Sequence, residues 1–291
     1  SGGEYTQGAG AVALLIKHNP RLLIIDPVFG VATRPVHDFF KPTRPVSKRE
    51  LIEEVLALLP ENCSQGVDVD RLFDTWARLI FHLPYAYQAR RMFSEIYVEE
   101  LKAKGNWAAF IAEHNLEVPC ADNYEDREEY LTRCGQFLKS VSKTSEYREF
   151  VEQKIAHGEC ASSQAGNMYA GSIWLSLQSA LESGLDEAHA LNVGDELGFF
   201  AYGSGSKSKV FAARLADQWR EVVENFGLAR RLDLRQSLSY ETYEALHRGQ
   251  LADNVAQQDA GTFFLADIHR EKGEMEGARH YGYRAEEVAV G

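Results

Sequence analysis

The sequence predicts a mixed α/β fold, and three observations carry that prediction. Uninterrupted apolar runs at residues 9–16 and 22–28 are strand-sized and bounded by turn residues, the pattern of strands covered on both faces. Amphipathic stretches of helical period lie between strand-sized segments. The two kinds of element are interspersed along the chain rather than gathered into separate blocks.

The run 9–16 is expected as a central strand, and 22–28 as a second one after the turn His18-Asn19-Pro20. Ser47 with Glu50 three residues later has capping-box spacing and opens an expected helix, 48–59, ahead of Pro60. A second amphipathic stretch starts near Val69, passes Leu72, Phe73 and Trp76, and leads into Leu79-Ile80-Phe81. Helical spacing then dominates from Tyr87 to about Ala156, which reads as a helical excursion from the main fold. Ala165-Gly166-Asn167-Met168-Tyr169 opens an apolar helix over 170–181 that Gly184 stops in the manner of a C-cap. Residues 195–202 read as a strand ending in the glycine-serine turn 203–206, and 209–215 as the next strand, followed by a helical stretch over 216–226. A last strand, 262–268, is expected to pair with 280–284. No repeat, low-complexity tract or Pro/Ser linker interrupts this order.

Composition limits the function classes. With 291 residues, 45% hydrophobic and 25% charged, the chain can bury one large core or two small ones. A net charge of -12 argues against a nucleic-acid surface, which needs clustered Lys and Arg with little opposing charge. Local basic spots remain at Lys207 with Lys209 and at Arg90 with Arg91, where a phosphorylated ligand can be met. No apolar run reaches about 18 residues, so no membrane span is expected. The four cysteines, Cys63, Cys120, Cys134 and Cys160, show neither CxxC spacing nor a companion His pattern. No metal site or disulfide framework is therefore expected, and reduced, cytoplasmic thiols are the default. The opening Ser1-Gly2-Gly3-Glu4 carries no signal-peptide pattern, and its abrupt passage into an apolar run is expected of a processed or truncated product.

Three segments place a polar group at a strand end or a helix start. In Phe81-His82-Leu83-Pro84-Tyr85 the histidine follows an apolar run and precedes a proline, which would hold the imidazole at a strand tip facing a cleft. A core histidine satisfied by a backbone carbonyl fits the same pattern. Gly166-Asn167 stands at the mouth of the apolar helix, where Asn is an N-cap or, turned into a cleft, an amide donor to a thioester oxygen. Tyr202-Gly203-Ser204-Gly205-Ser206 lets backbone amides approach a ligand closely, although a tight turn needs the same residues.

Taken together and in order, four blocks resemble the later part of the 3-hydroxy-3-methylglutaryl-CoA synthase family. They are 4–13 (Glu4-Tyr5-Thr6-Gln7-Gly8-Ala9 onward), Phe81-His82-Leu83-Pro84-Tyr85, Gly166-Asn167-Met168-Tyr169-Ala170-Gly171-Ser172, and 200–206. The strand at 263–268 and Arg279-His280-Tyr281 are similar to the end of that family. The resemblance implies a thiolase-like layered α-β-α-β-α fold, mainly its C-terminal half with part of the N-terminal half. Residues 1–45 would end the N-terminal half, and 46–291 would form the C-terminal half with a helical insertion near 97–160. It implies condensation of acetyl-CoA with acetoacetyl-CoA through an acetyl-cysteine, with a glutamate as general acid/base and a histidine. His82 matches that histidine. Asn167 and Ser204 match residues that hold the second thioester, with Gly203 beside them and Thr6 bordering the cavity. No cofactor beyond the CoA thioester substrates is implied; a homodimer, or pairing with an N-terminal half, is.

The resemblance also has gaps. The family's cysteine and glutamate precede the block that starts this chain, and none of the four cysteines sits in a setting that would lower its pKa. A missing upstream segment is therefore expected to supply both, and the isolated chain should not form the acetyl-enzyme. Where the family carries a CoA-binding lysine after the His-x-Pro segment, this chain reads Tyr85-Ala86-Tyr87-Gln88-Ala89-Arg90-Arg91, so Arg90 or Arg91 is the expected replacement. The block after Asp38-Phe39-Phe40-Lys41-Pro42 lacks the family's Val-Asp-Gly. These departures leave the carrier and pathway open: a CoA thioester of mevalonate and isoprenoid biosynthesis, or an acyl-carrier-protein thioester in polyketide β-branching. A non-catalytic thiolase-fold partner that binds acyl thioesters is the competing reading.

Overall fold

The computed structural model describes residues 7–33, 72–203, 207–251 and 260–285. The expected helix 48–59, the boundary at 45/46, Thr6, Cys63 and Ser204 to Ser206 lie outside them. The chain divides into two compact units, Ser1–Asp233 and Leu234–Gly291.

In the first unit the elements run β1 (Leu23–Thr33), α1 (Leu72–Thr75), β2 (Trp76–Phe81), α2 (Gln88–Ala103), α3 (Trp107–Glu113), α4 (Arg127–Val141), α5 (Ser145–Lys154), α6 (Ala156–Ala165), α7 (Ser172–Ser183), β3 (Glu196–Gly203), β4 (Lys207–Leu215), α8 (Trp219–Val223) and α9 (Leu228–Asp233). The four strands form one sheet in the order β1-β4-β3-β2. β2 and β3 are parallel, with Phe81 opposite Phe200, whereas β3–β4 and β1–β4 are antiparallel. The second unit holds α10 (Tyr240–His247) and the antiparallel pair β5 (Thr262–Ile268) and β6 (Arg279–Arg284).

Strand alternation divides the apolar residues between the two faces of the first sheet. Phe81 and Phe200 belong to one face, where their rings stack 4.8 Å apart and Phe93 of α2 meets Phe81 edge-on at 5.5 Å. Trp76, Ile96, Tyr147 and Val151 complete that core, so α2 and α5 cover this face. Ile80, Leu197 and Phe199 belong to the other, packed under Ile173, Leu177 and Leu181 of α7 and Trp219 of α8. Each fully buried side chain of this kind contributes about 1.5–3 kcal/mol. Among the described strands β2 lies at the sheet edge, yet it is buried along nearly its whole length because α5, α6 and α7 pack against it.

The helical stretch after Tyr87 is present as α2 through α6, with caps the sequence supplies: Asp126 accepts from Glu128 N, and Thr144 accepts from Tyr147 N.

Several expectations are corrected. Residues 9–16 are not a central strand: no ladder partner lies among the described residues, and Leu15 and Ile16 stand 86% and 91% exposed. An apolar run becomes a strand only where neighbours take up its N–H and C=O groups. Among the described residues β1 lies at the edge of the sheet, with Ile25 and Phe29 more than half exposed, rather than covered on both faces. The helix over 216–226 shrinks to α8. Gly184 ends α7 at a right-handed φ of -71°, so it is not a left-handed cap. Its role is space, since a Cβ there would lie 2.5 Å from Leu191 Cδ1.

Candidate functional site

β2 and β3 run parallel, so their C-terminal ends emerge at the same sheet edge. His82 extends the ladder one step beyond β2, its N–H donating to Phe200 O at 2.9 Å. Pro84 cannot donate and ends the run. The half-buried imidazole therefore sits beside Ala201 and Tyr202 at the end of β3. A cleft of about 90 Å³, partly open to solvent, lies there; its lining includes His82, Gln88, Phe93, Phe200, Tyr202 and Lys209. Its walls are largely apolar, so a charge developing at His82 would be screened less than in water. Lys209 Nζ stands 4.8 Å over the Phe29 ring at this end of the sheet.

The second segment is built around Gly166, whose φ of 79° and ψ of -169° suit glycine alone. Asn167 Oδ1 accepts from Tyr169 N at 2.7 Å and from Ser172 Oγ at 3.2 Å, and Ser172 Oγ accepts from Met168 N. Asn167 thus closes an Asx turn just ahead of the 3-10 turn Tyr169–Gly171 at the entrance to α7 and is the N-cap of neither element. Its oxygen is committed to the protein, and among the described residues Nδ2 has no partner, which leaves the donor half of the amide for a ligand. The segment is clamped by the N-terminal residues: Gly8 N donates to Asn167 O at 2.8 Å and Gln7 Nε2 to Tyr169 OH at 3.1 Å. A Cβ on Gly8 would fall 2.0 Å from Ala165 O, so only glycine fits there. Asn167 does not line the His82 cleft, whereas the strand leading to Gly203 does.

Arg90 has another task than the phosphate contact expected of it. Its Nε donates to Glu159 Oε2 at 2.8 Å and its terminal nitrogen contacts the same oxygen, while the Glu159 side chain is only 2% exposed. Burial pushes the Glu159 carboxyl up, and Arg90 offsets only part of that. Releasing Arg90 to a ligand would strand that carboxylate. Arg91 is exposed, 5.8 Å over the Tyr85 ring, and stays available.

Gln88 is a lining residue that the sequence reading did not select. The signal was present: Gln88 falls on the same helical face as Met92 and Ile96, a lone polar group in an apolar stripe. Cys120 and Cys160 are exposed and Cys134 is buried; none lines the cleft, and burial holds the Cys160 thiol up. Among the described residues, Glu113, His114 and Glu146 bring ligand-type atoms within 4.8 Å, but His114 and Glu146 already bond to each other at 2.8 Å. No described helix is long and apolar enough to cross a membrane.

A solved structure described as MvaS in complex with 3-hydroxy-3-methylglutaryl coenzyme A superposes over 98% of this chain and 63% of its own, with a TM-score of 0.65 and 24% identity. At that identity the likeness is one of fold, and the fold is thiolase-like. A family model for the hydroxymethylglutaryl-coenzyme A synthase C terminal matches residues 59–264, and the chain belongs to that family. Among curated relatives, the hydroxymethylglutaryl-CoA synthase of Haloferax volcanii is 26% identical over 84% of this chain and 56% of its own. The polyketide biosynthesis 3-hydroxy-3-methylglutaryl-ACP synthase PksG of Bacillus subtilis is 24% identical over 84% and 50%. The chain thus spans about half the length of these curated relatives.

Proposed function

We propose that this chain is the C-terminal portion of a synthase that condenses an acetyl thioester with a β-keto thioester. The observation that carries the reading is the His82 imidazole at the shared end of β2 and β3, opening on a largely apolar cleft beside Ala201 and Tyr202. In the reaction, a carbanion from a cysteine-bound acetyl group attacks the keto carbon, and negative charge moves onto the keto oxygen. His82 donates to that oxygen; Asn167 Nδ2, outside the His82 cleft, and Ser204, outside the described residues, are the further donors proposed for the thioester. The cysteine and the general acid/base come from a segment outside this sequence, in keeping with Cys120, Cys134 and Cys160 all lying away from the cleft. A cytoplasmic homodimer, or a pairing with an N-terminal half, belongs to the same reading.

The second reading keeps the chemistry and changes the carrier. Arg90 is held by Glu159 and so withdrawn from a CoA phosphate; Arg91, Lys207 and Lys209 remain among the described residues, and an acyl-carrier protein is the competing thioester carrier.

The test pairs the chain with a cysteine-bearing upstream segment and measures condensation of acetyl with acetoacetyl thioesters on CoA and on acyl-carrier protein. His82→Ala should cut turnover by about 10²–10³-fold, the loss of one donor to a developing oxyanion, with the melting temperature retained. Undiminished turnover in a folded His82→Ala protein overturns the assignment.

A further inference from the structure

Gln88 is the polar group in the cleft wall that the protein itself leaves unsatisfied. The residue is 7% exposed and lines the cleft, yet among the described residues Oε1 has no hydrogen-bond partner. Nε2 donates at 3.3 Å to the thioether of Met92, a weak acceptor that holds the amide only loosely. A buried amide carbonyl without a partner lowers the stability of the protein, and although His82, Tyr202, Ser208 and Lys209 line the same cleft, none of them bonds to it. The terminal torsion of glutamine is broad, so the amide can turn toward the cleft when a donor arrives there.

From this we infer that Gln88 is a specificity-determining residue: its Oε1 accepts a hydrogen bond from one uncharged N–H or O–H donor on an otherwise apolar thioester whose carbonyl lies at His82. The inference rests on the proposed function for the thioester, and adds what that reading lacks, a group that sorts thioesters by the donor they carry. A ligand with the donor satisfies the orphaned carbonyl. One with an ether or ester oxygen at the same place sets two acceptors against each other, and one with a methylene leaves Oε1 as it was. The donor comes either from the secondary amide of the carrier arm or from a hydroxyl on the acyl chain.

The test measures binding of four probes to the intact chain and to its Gln88→Leu and Gln88→Met variants by isothermal titration or intrinsic fluorescence. One pair is the acetoacetyl thioester of N-acetylcysteamine and its analogue with an ester oxygen in place of the amide N–H. The other is S-butyl 3-hydroxybutanethioate and S-butyl butanethioate. The intact chain should prefer the donor-bearing member of one pair by about tenfold, and both variants should lose that preference while binding the other member at least as well. Loss in the first pair assigns the donor to the carrier arm, and loss in the second assigns it to the acyl chain. Replacing an unsatisfied buried amide with an apolar side chain should also leave the melting temperature unchanged or higher, which keeps the variants readable. Equal binding within both pairs, or a preference that survives in the variants, overturns the role of Gln88 and leaves the proposed function standing. No binding of any probe by the intact chain overturns both.

Discussion

Arg90→Ala separates a structural arginine from a ligand-binding one. The substitution would leave the Glu159 carboxylate 2% exposed with no cation beside it, and Oε1 of that carboxylate already lacks a hydrogen bond. Removing one partner of a buried ion pair costs about 3–5 kcal/mol. The Arg90 side chain is 33% exposed, so water can reach part of the vacated space and the cost falls to the low end, about 3 kcal/mol. For a unit of this size that corresponds to a fall of roughly 6–12 °C in melting temperature. The pH dependence gives an independent check. Burial already raises the Glu159 pKa, and without Arg90 it rises further, so the folded state holds a proton more tightly than the unfolded chain. The penalty should therefore be largest near neutral pH and shrink as pH is lowered through the folded-state pKa of Glu159. Urea denaturation of the wild type and of Arg90→Ala at several pH values reads both effects. A cost below about 1 kcal/mol that does not vary with pH would refute the argument and return Arg90 to the list of candidate phosphate ligands.

Two further outcomes follow from the packing and from a partly buried histidine. Gly198→Ala in β3 would place a Cβ 2.2 Å from Trp76 Cε3, within a core where Trp76 is 5% exposed, and should destabilise by about 2–3 kcal/mol. Adding Trp76→Phe should recover part of that loss in chemical denaturation; a neutral Gly198→Ala would mean that this contact is loose. Burial, with help from the Arg78 charge and His189, holds the His157 imidazole down to about 4 from 6.5, and its Nδ1 lies 2.7 Å from Ser183 Oγ. The unfolded chain takes up its proton first, so stability is whole above pH 6.5 and falls as pH drops toward 4. The imidazole is partly exposed, so the loss is held to about 1–2 kcal/mol, and His157→Gln should flatten that part of the profile.

The legible parts of the site were those that depend on neighbours in sequence. The strand tip at His82 followed from an apolar run stopped by Pro84, and the helix mouth at Asn167 from Gly166 and the apolar stretch after it. Gln88 and Arg90 were not legible in the same way. One was a lone polar residue in an apolar stripe and the other a cation in a basic pair, and their meaning depends on Met92 and on Glu159, the latter 69 residues away.

By itself the sequence determined the alternation of helices and strands, the helical stretch after Tyr87, the pairing of the last two strands and the family, because these rest on local periodicity, turn chemistry and short motifs read in order. Only the tertiary structure decided that residues 9–16 lie exposed, that β1 lies at the edge of the described sheet, that the two sheet faces hold separate cores, and that Arg90 is held by a buried carboxylate. The physical reason is that burial and hydrogen-bond satisfaction belong to pairs of groups distant along the chain. A residue type states what it can donate or accept, and only the fold states which partner it meets.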